Sequence, residues 1–468
     1  MSIDANKPGA WHQGISRYQW LVLMIASLGW VFDVFEGQIF VASMNEAIPS
    51  LAPRGTEEGR LDFYNNVALG AFLLGGALGG ILFGALSDRI GRKKTLSLTI
   101  LFYSLFTCAS AFSEQWWHLA AWRFLVAMGV GGEWAVASSM VAEVFPSRAR
   151  AHVGSIFHAS SVFGTYLAVL AGWLIIGNPA IQEYAKGVGI ESLPWRIGFA
   201  LGALPALLII WIRRSLHEPE SWTKARAEAD RTGSRRLGSI PDLFSAQWRR
   251  QTFVGLALAT IGLVTFWGAH VYGKNLLTEA VDAQAASTEA IADSDATNGD
   301  NAEASAADKT SRKRWEMLGM FLVTTGGGLG LVCFGPISER FGRRGAFLFY
   351  HVGGLIIAVV AFQFLHGLYA VLVVLPIFGF LTLGMHAGYA VYFPELYPTR
   401  LRATGAGFCF NGGRILAAFV LVLRGWMRDE QGGNLSERDV GTILSMLFLA
   451  GVLTLWFAPE TKGRELPE

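Results

Sequence analysis

Between Arg344 and Glu395 lie fifty residues, 345–394, without one Asp, Glu, Lys or Arg. No soluble surface can be built from such a run. A helix that crosses a bilayer needs roughly 20 apolar residues. The run is therefore long enough for two crossings, spans 9 and 10, with a turn near His366–Gly367. Further charge-free windows are 63–87 (span 2), 95–113 (span 3), 151–182 (span 5), 251–273 (span 7), 317–338 (span 8) and 440–459 (span 12). Equally apolar segments that hold one to three charges are 18–46 (span 1), 117–142 (span 4), 195–212 (span 6) and 401–423 (span 11). The reading is an all-α membrane protein of twelve spans.

Composition agrees. Of 468 residues, 52% are hydrophobic and 16% charged, against about 25% charged in soluble domains. That hydrophobicity also excludes a disordered chain. Cys108, Cys333 and Cys409 sit in unrelated apolar segments. They read as small core residues, not as a disulfide framework or a metal site. A net charge of +2 names no nucleic-acid partner. The first twenty residues lack a small-residue cleavage pattern, so span 1 is expected to stay in the protein.

The basic residues sort by loop. Arg89, Arg92, Lys93 and Lys94 follow span 2; Arg148 and Arg150 follow span 4; Arg213 to Arg250 bound a long basic stretch; Arg340, Arg343 and Arg344 follow span 8; Arg400 and Arg402 follow span 10. All fall on one side, which the positive-inside rule makes cytoplasmic, with both termini there. Lys313 and Arg314 fall on the other side, where a long translocated loop weakens the rule. Residues 278–308 hold eight acids and no base. They read as a disordered outer loop.

Two segments recur at a shift of about 251 residues. GALSDRIGRKK (84–94) matches GPISERFGRRG (335–345), and AEVFPSRARA (142–151) matches PELYPTRLRA (394–403). HEPESW (217–222) and FAPETKG (457–463) match more loosely. Each pair falls in equivalent loops. The chain thus divides into two six-span halves, 1–213 and 251–468, joined by a linker, 214–250. Parallel halves of this kind are a transporter architecture, with the substrate site between them near the midplane.

These motifs resemble the major facilitator superfamily. The two G-x-x-S-[DE]-R-x-G-R loops are similar to its signature after spans 2 and 8, and WRFLVAMGVGGEW (122–134) to its Arg-x-x-x-Gly-x-Gly pattern on span 4. PESW and PETKG are similar to the sugar-porter and metabolite–proton symporter branches, and FDVFEG (32–37) to the span-1 acids of aromatic-acid and sialate symporters. LPIFGFLTLG (375–384) departs from the pattern, since it carries no Arg equivalent to Arg123. The resemblance implies a latch on the cytoplasmic side that closes in one conformation and releases in the other. Its candidate residues are Gly84, Asp88, Arg89, Gly91, Arg92, Glu143 and Arg148 in the first half, and Glu339, Arg340, Arg343, Glu395 and Arg400 in the second. The bland alternative is a solvated turn that only sets topology.

Charges inside the membrane each cost roughly 2.5–3.5 kcal/mol on insertion scales, so they are functional candidates. Asp33 and Glu36, three apart on span 1, share a helix face. Two adjacent carboxylates in low dielectric resist ionising together, as a proton-coupling site requires. Arg123 is their expected partner; a structural ion pair is the alternative. In sugar–proton symporters, as the resemblance implies, the acid near this Arg is the proton site, and Glu36 matches it better. Glu133 and Arg414 are substrate or charge-balancing candidates, and Arg414 suits bidentate capture of a carboxylate. Trp134, His158, Ser161, Trp267, His270, Tyr272, His386, Tyr389, Tyr392 and Asn411 are expected to line a cavity whose aromatic faces suit sugar rings or planar acids.

The expected function is proton-coupled symport of a small organic acid, aromatic or sugar-derived, by alternating access. A neutral sugar and a proton-driven efflux antiporter are the alternatives. A non-transporting sensor would need a long cytoplasmic signalling segment. No nucleophile–base cluster, metal set or phosphate loop argues for an enzyme. The expected partners are a small-molecule substrate and the lipid bilayer, in a monomer of the cell (inner or plasma) membrane, with the proton as coupling ion and no other cofactor.

Overall fold

The computed structural model describes residues 10–232, 237–292, 301–428 and 433–467. Among them, every regular element is helical. Nine stretches are long and apolar enough to cross a membrane. One of these, Met317–Phe364, is double: Gly342 breaks it with φ +83°, so spans 8 and 9 meet there. Helices at Arg92–Ser110 and Glu437–Thr454 take the places of spans 3 and 12. The arrangement is consistent with twelve.

The expected turn between spans 9 and 10 falls at Gly367, φ +84°, and the next helix starts at Leu368. The acidic insert needs correction. Asn275–Ala292 is helical, and the helix of span 8 already begins at Asn301. Its many Ala residues are strong helix formers, and Leu276, Leu277 and Ala280 at the start of the first helix pack into an apolar cluster. Residues 293–300 lie outside the described residues.

The repeat extends into the packed interior. A Cβ on Gly75 or Gly79 would lie 2.1 or 2.0 Å from the carbonyl oxygens of Phe124 and Met128, so spans 2 and 4 touch backbone to backbone. Gly326 and Gly330, 251 residues on, do the same for spans 8 and 10 against Pro376 and Phe380. Small residues four apart are how membrane helices approach closely. The other side of span 2 exposes Leu74, Leu78 and Leu82, a face suited to lipid.

Several spans are interrupted. Span 5 breaks at Ser160, span 7 at Ala269, and span 10 at Gly384–Met385. In membrane proteins such breaks are tolerated where the freed backbone is buried in protein or lines a cavity. The breaks of spans 7 and 10 lie beside His270 and His386.

Candidate functional site

The basic face carries the first cluster. Asp88 ends span 2, and Arg92 starts span 3 one turn later. Gly91 between them has φ +112°, which an L side chain rarely adopts. Arg92 Nη1 donates to Asp88 Oδ1 at 2.6 Å, and Arg92 Nη2 and Nε donate to Glu143 at 2.7 and 3.1 Å. All three side chains are fully buried.

This cluster crosses between the halves. Glu143 also accepts from Arg402 Nη1 at 2.8 Å. Asp88 accepts the backbone N–H groups of Ala403 and Thr404, at 3.3 and 2.9 Å, and so sits at the positive N-terminal end of span 11. Gly84 lets the two elements close, since a Cβ there would lie 2.6 Å from the Ala403 carbonyl oxygen. In the second half Arg343 repeats the design, with Glu339 at 2.8 Å and Glu395 at 3.0 and 3.1 Å. Glu395 reaches the first half through Arg150, at 3.9 Å.

The remaining latch candidates sit outside this core. Arg89 donates to the carbonyls of Leu237 and Gly238 in the linker, at 3.3 and 3.1 Å. Arg400 pairs with Asp242 of the linker at 2.7 Å. Arg340 lies over the Phe341 ring. Arg148 donates to the Gln13 carbonyl near the N-terminus, away from the other half.

Motif reading missed four partners: Arg402, Thr404, Glu218 and Glu460. Glu218 accepts the N–H groups of Arg92 and Lys93 at 2.7 and 3.2 Å, which caps span 3. Glu460 accepts those of Arg343 and Arg344 at 2.9 and 3.1 Å, which caps span 9. The loose PES/PET match pointed to these loops. The capping acid precedes the proline in one half and follows it in the other, which the match hid.

The second cluster lies at mid-membrane depth. Asp33 and Glu36 share the expected side of span 1 but have different nearest partners. Glu36 packs beside Thr107 of span 3 and Gly202 of span 6. Arg123 donates to its backbone carbonyl at 2.6 Å, and the guanidinium lies among Phe40, Phe72 and Phe199, 4.9–5.7 Å from their ring centres. Asp33 instead lies beside Glu133, whose carboxylate presses on Gly29 of span 1. The carboxylate oxygens of Asp33, Glu36 and Glu133 find no donor among the described residues.

Arg414 completes this cluster. Its guanidinium packs against Gly76 of span 2 and lies over the Phe410 ring at 5.4 Å, with Asp33 the acid whose field it feels. Among the described residues it makes neither a hydrogen bond nor an ion pair. Phe410 also stacks on Trp134 at 4.0 Å, and Trp134 Nε1 donates to His158 Nδ1 at 3.2 Å. Spans 1, 4, 5 and 11 thus meet around one aromatic group.

The other polar candidates are mostly committed to the protein. Tyr389 Oη donates to the Leu258 carbonyl at 3.0 Å and Tyr392 Oη to the Pro459 carbonyl at 2.7 Å. Asn411 Nδ2 donates to the Gly131 and Gly407 carbonyls at 3.3 and 3.1 Å, and His270 Nδ1 pairs with Thr382 at 2.7 Å. His386 Nε2 meets the Gly262 carbonyl at 3.2 Å. Tyr272 lies under Arg424, towards the opposite face. Trp267 is half-buried beside Phe266. Most of the accepting carbonyls belong to neighbouring helices, so side chains that sequence alone offered to a ligand instead tie elements together.

Two helical halves joined by ion pairs at the basic face, with buried charges among their spans, fit a membrane transporter. Comparison with known proteins agrees. The Major Facilitator Superfamily profile matches residues 39–280, and the Sugar (and other) transporter profile matches 304–468. The chain belongs to the major facilitator superfamily. It is 25% identical to the niacin transporter NiaP of Acinetobacter baylyi, over 97% of this chain and 96% of that one. It is 25% identical to the sialic acid transporter NanX of Escherichia coli, over 94% and 95%. Its fold is similar to the proton:xylose symporter XylE bound to 6-bromo-6-deoxy-D-glucose, with a TM-score of 0.74 at 16% identity, over 96% and 98% of the two chains.

Proposed function

We propose that the protein is a proton-coupled symporter of a small organic acid, working by alternating access. One observation carries the substrate reading: Arg414, a cation at membrane depth that no described residue neutralises by contact. A planar guanidinium over an aromatic ring suits a carboxylate on a ring-bearing cargo. Niacin and sialic acid, named for two relatives, both carry a carboxylate.

Proton coupling rests on the span-1 acids. Asp33 and Glu133 lie side by side, so a proton on either can bridge to the other. Glu36 is the acid beside Arg123. A carboxyl that takes a proton in one state and releases it in the other couples the gradient to transport. The basic face is read as cytoplasmic, with both termini on it, and the latch there is closed. That is the state in which the site is shut off from the cytoplasm. A neutral sugar is the second reading, favoured by the sugar transporter profile over 304–468. The protein is read as a monomer in the cell membrane.

The test is uptake into proteoliposomes under an imposed pH gradient, with sugar, sugar-acid and aromatic-acid cargoes. Arg414→Ala is expected to weaken acid uptake at least tenfold. Sugar uptake that Arg414→Ala leaves intact would move the reading to the second cargo class.

A further inference from the structure

We infer that His158 is a fixed hydrogen-bond donor of the central site, and that it selects acids carrying a second acceptor group. The inference rests on the carboxylate reading above and extends it. An indole N–H can only donate. Trp134 Nε1 meets His158 Nδ1 at 3.2 Å, so Nδ1 is the lone-pair nitrogen and the ring proton sits on Nε2. A ring protonated at both nitrogens would oppose one donor to another.

The residue is held from a second side. Trp30 Nε1, from span 1, donates to the His158 carbonyl at 3.2 Å. The ring cannot turn over without losing the Trp134 bond. His158 is only 5% exposed, and Nε2 has no acceptor among the described residues. Nε2 is not sealed off, unlike the unbonded Nε2 of His351, so the donor opens onto space, and closing that space without an acceptor would cost about 1–3 kcal/mol. Packing alone gives no reason to keep it.

Its position supplies one. The imidazole stands edge-on to Phe410, 6.4 Å between ring centres and 88° between planes. Arg414 lies over the same ring, 5.4 Å from its centre. A cation and a neutral donor therefore flank one aromatic ring. Arg414 takes the carboxylate. Nε2–H then meets a ring nitrogen, a carbonyl oxygen or a second carboxylate on the same molecule. A site built to hydrogen-bond a group rejects the analogue that lacks it.

The test uses the full chain in lipid nanodiscs and calorimetric titration with benzoate, nicotinate, 3-formylbenzoate and 4-formylbenzoate. These planar acids differ in whether, and where, they carry the extra acceptor. Wild type is expected to prefer at least one acceptor-bearing acid over benzoate by about tenfold or more. His158→Asn keeps an acceptor for Trp134 in its Oδ1, and its shorter amide places no N–H at the Nε2 position. It is expected to bring that ratio to about one, because acceptor-bearing acids lose far more affinity than benzoate does. His158→Gln places an amide N–H near the Nε2 position and is expected to keep the preference. An undiminished preference in His158→Asn overturns the donor role, as does an equal loss for benzoate and the other acids in both variants. If wild type binds none of the four acids and Arg414→Ala leaves transport unchanged, the carboxylate reading itself falls, and this inference with it.

Discussion

Arg123 and Arg414 are both Arg residues at membrane depth, yet their surroundings assign them different work. Arg123 is fully buried, bonded to the Glu36 carbonyl and boxed by three phenylalanines. Arg414 is half-buried and free of bonds to described residues. Arg414→Lys is expected to bind acids at least tenfold more weakly than wild type, because an ammonium loses the planar fork. Titration calorimetry reads this, and equal affinity would refute bidentate capture. Glu36→Gln is expected to abolish uptake driven by a pH gradient while leaving substrate counterflow. Uptake that still follows the gradient in this mutant would sink the coupling role of Glu36.

At the level of elements, the caps of spans 3 and 9 and the linker turn carry the argument. Burial opposes the charge on Glu460, but the backbone N–H groups of Arg343, Lys462 and Arg344 outweigh it and hold its carboxyl below the ordinary value of 4.5. A carboxyl with a lowered folded-state pKa stabilises the protein above its unfolded pKa and loses that contribution as pH falls through the folded one. Glu460→Gln is therefore expected to lower the thermal midpoint at neutral pH. The difference from wild type should shrink progressively below about pH 4.5. A gap that stays constant with pH would mean that charge is irrelevant to this cap. In the linker, Gly238 has φ +63°. It donates to the Arg400 carbonyl at 2.9 Å and accepts from Arg89, so it ties both halves at the basic face. An added Cβ would lie 2.2 Å from the Ala85 carbonyl oxygen. Gly238→Ala is expected to cost about 1–3 kcal/mol, read as a drop in thermal midpoint.

For the whole molecule, the decisive contacts are those between halves. Asp88 at the start of span 11, Glu143 with Arg402, and Arg150 with Glu395 all join one half to the other. Breaking a buried pair by removing one partner costs about 3–5 kcal/mol. Part of that cost falls on the closed state alone, because those contacts exist only there if the halves part. Asp88→Asn is thus expected to shift the conformational equilibrium towards opening at the basic face by about tenfold or more. Spin-label distances across spans 2 and 11 would show it. Unchanged distance distributions would mean that the cluster holds topology and not state. The C-terminal segment adds a tie, since the Pro467 carbonyl accepts from Arg402 Nη2 at 3.0 Å and that of Arg464 from Arg150 Nη1 at 3.5 Å.

The spans and the two halves were legible in the chain because bilayer thickness sets a length and the cost of a buried charge sets a vocabulary. The repeated ion pairs Asp88–Arg92 and Glu339–Arg343 were legible because both use i, i+4 spacing across a glycine turn, which is local geometry. The acids and cations inside the membrane were found for the same reason: a charge there is conspicuous in any window. Their pairing was not legible. Asp33 sits beside a residue one hundred positions away, and Glu36 beside Thr107 and Gly202. Tyr389, Tyr392 and Asn411 looked available to a ligand, yet they serve backbone carbonyls. The sequence by itself determined that the chain is helical and membrane-spanning, its internal repeat and the identity of the costly charges, since these follow from transfer energies and local spacing. Only the tertiary structure decided which charges meet and which polar groups are already satisfied. Those facts depend on directions and distances between helices, which no linear pattern encodes.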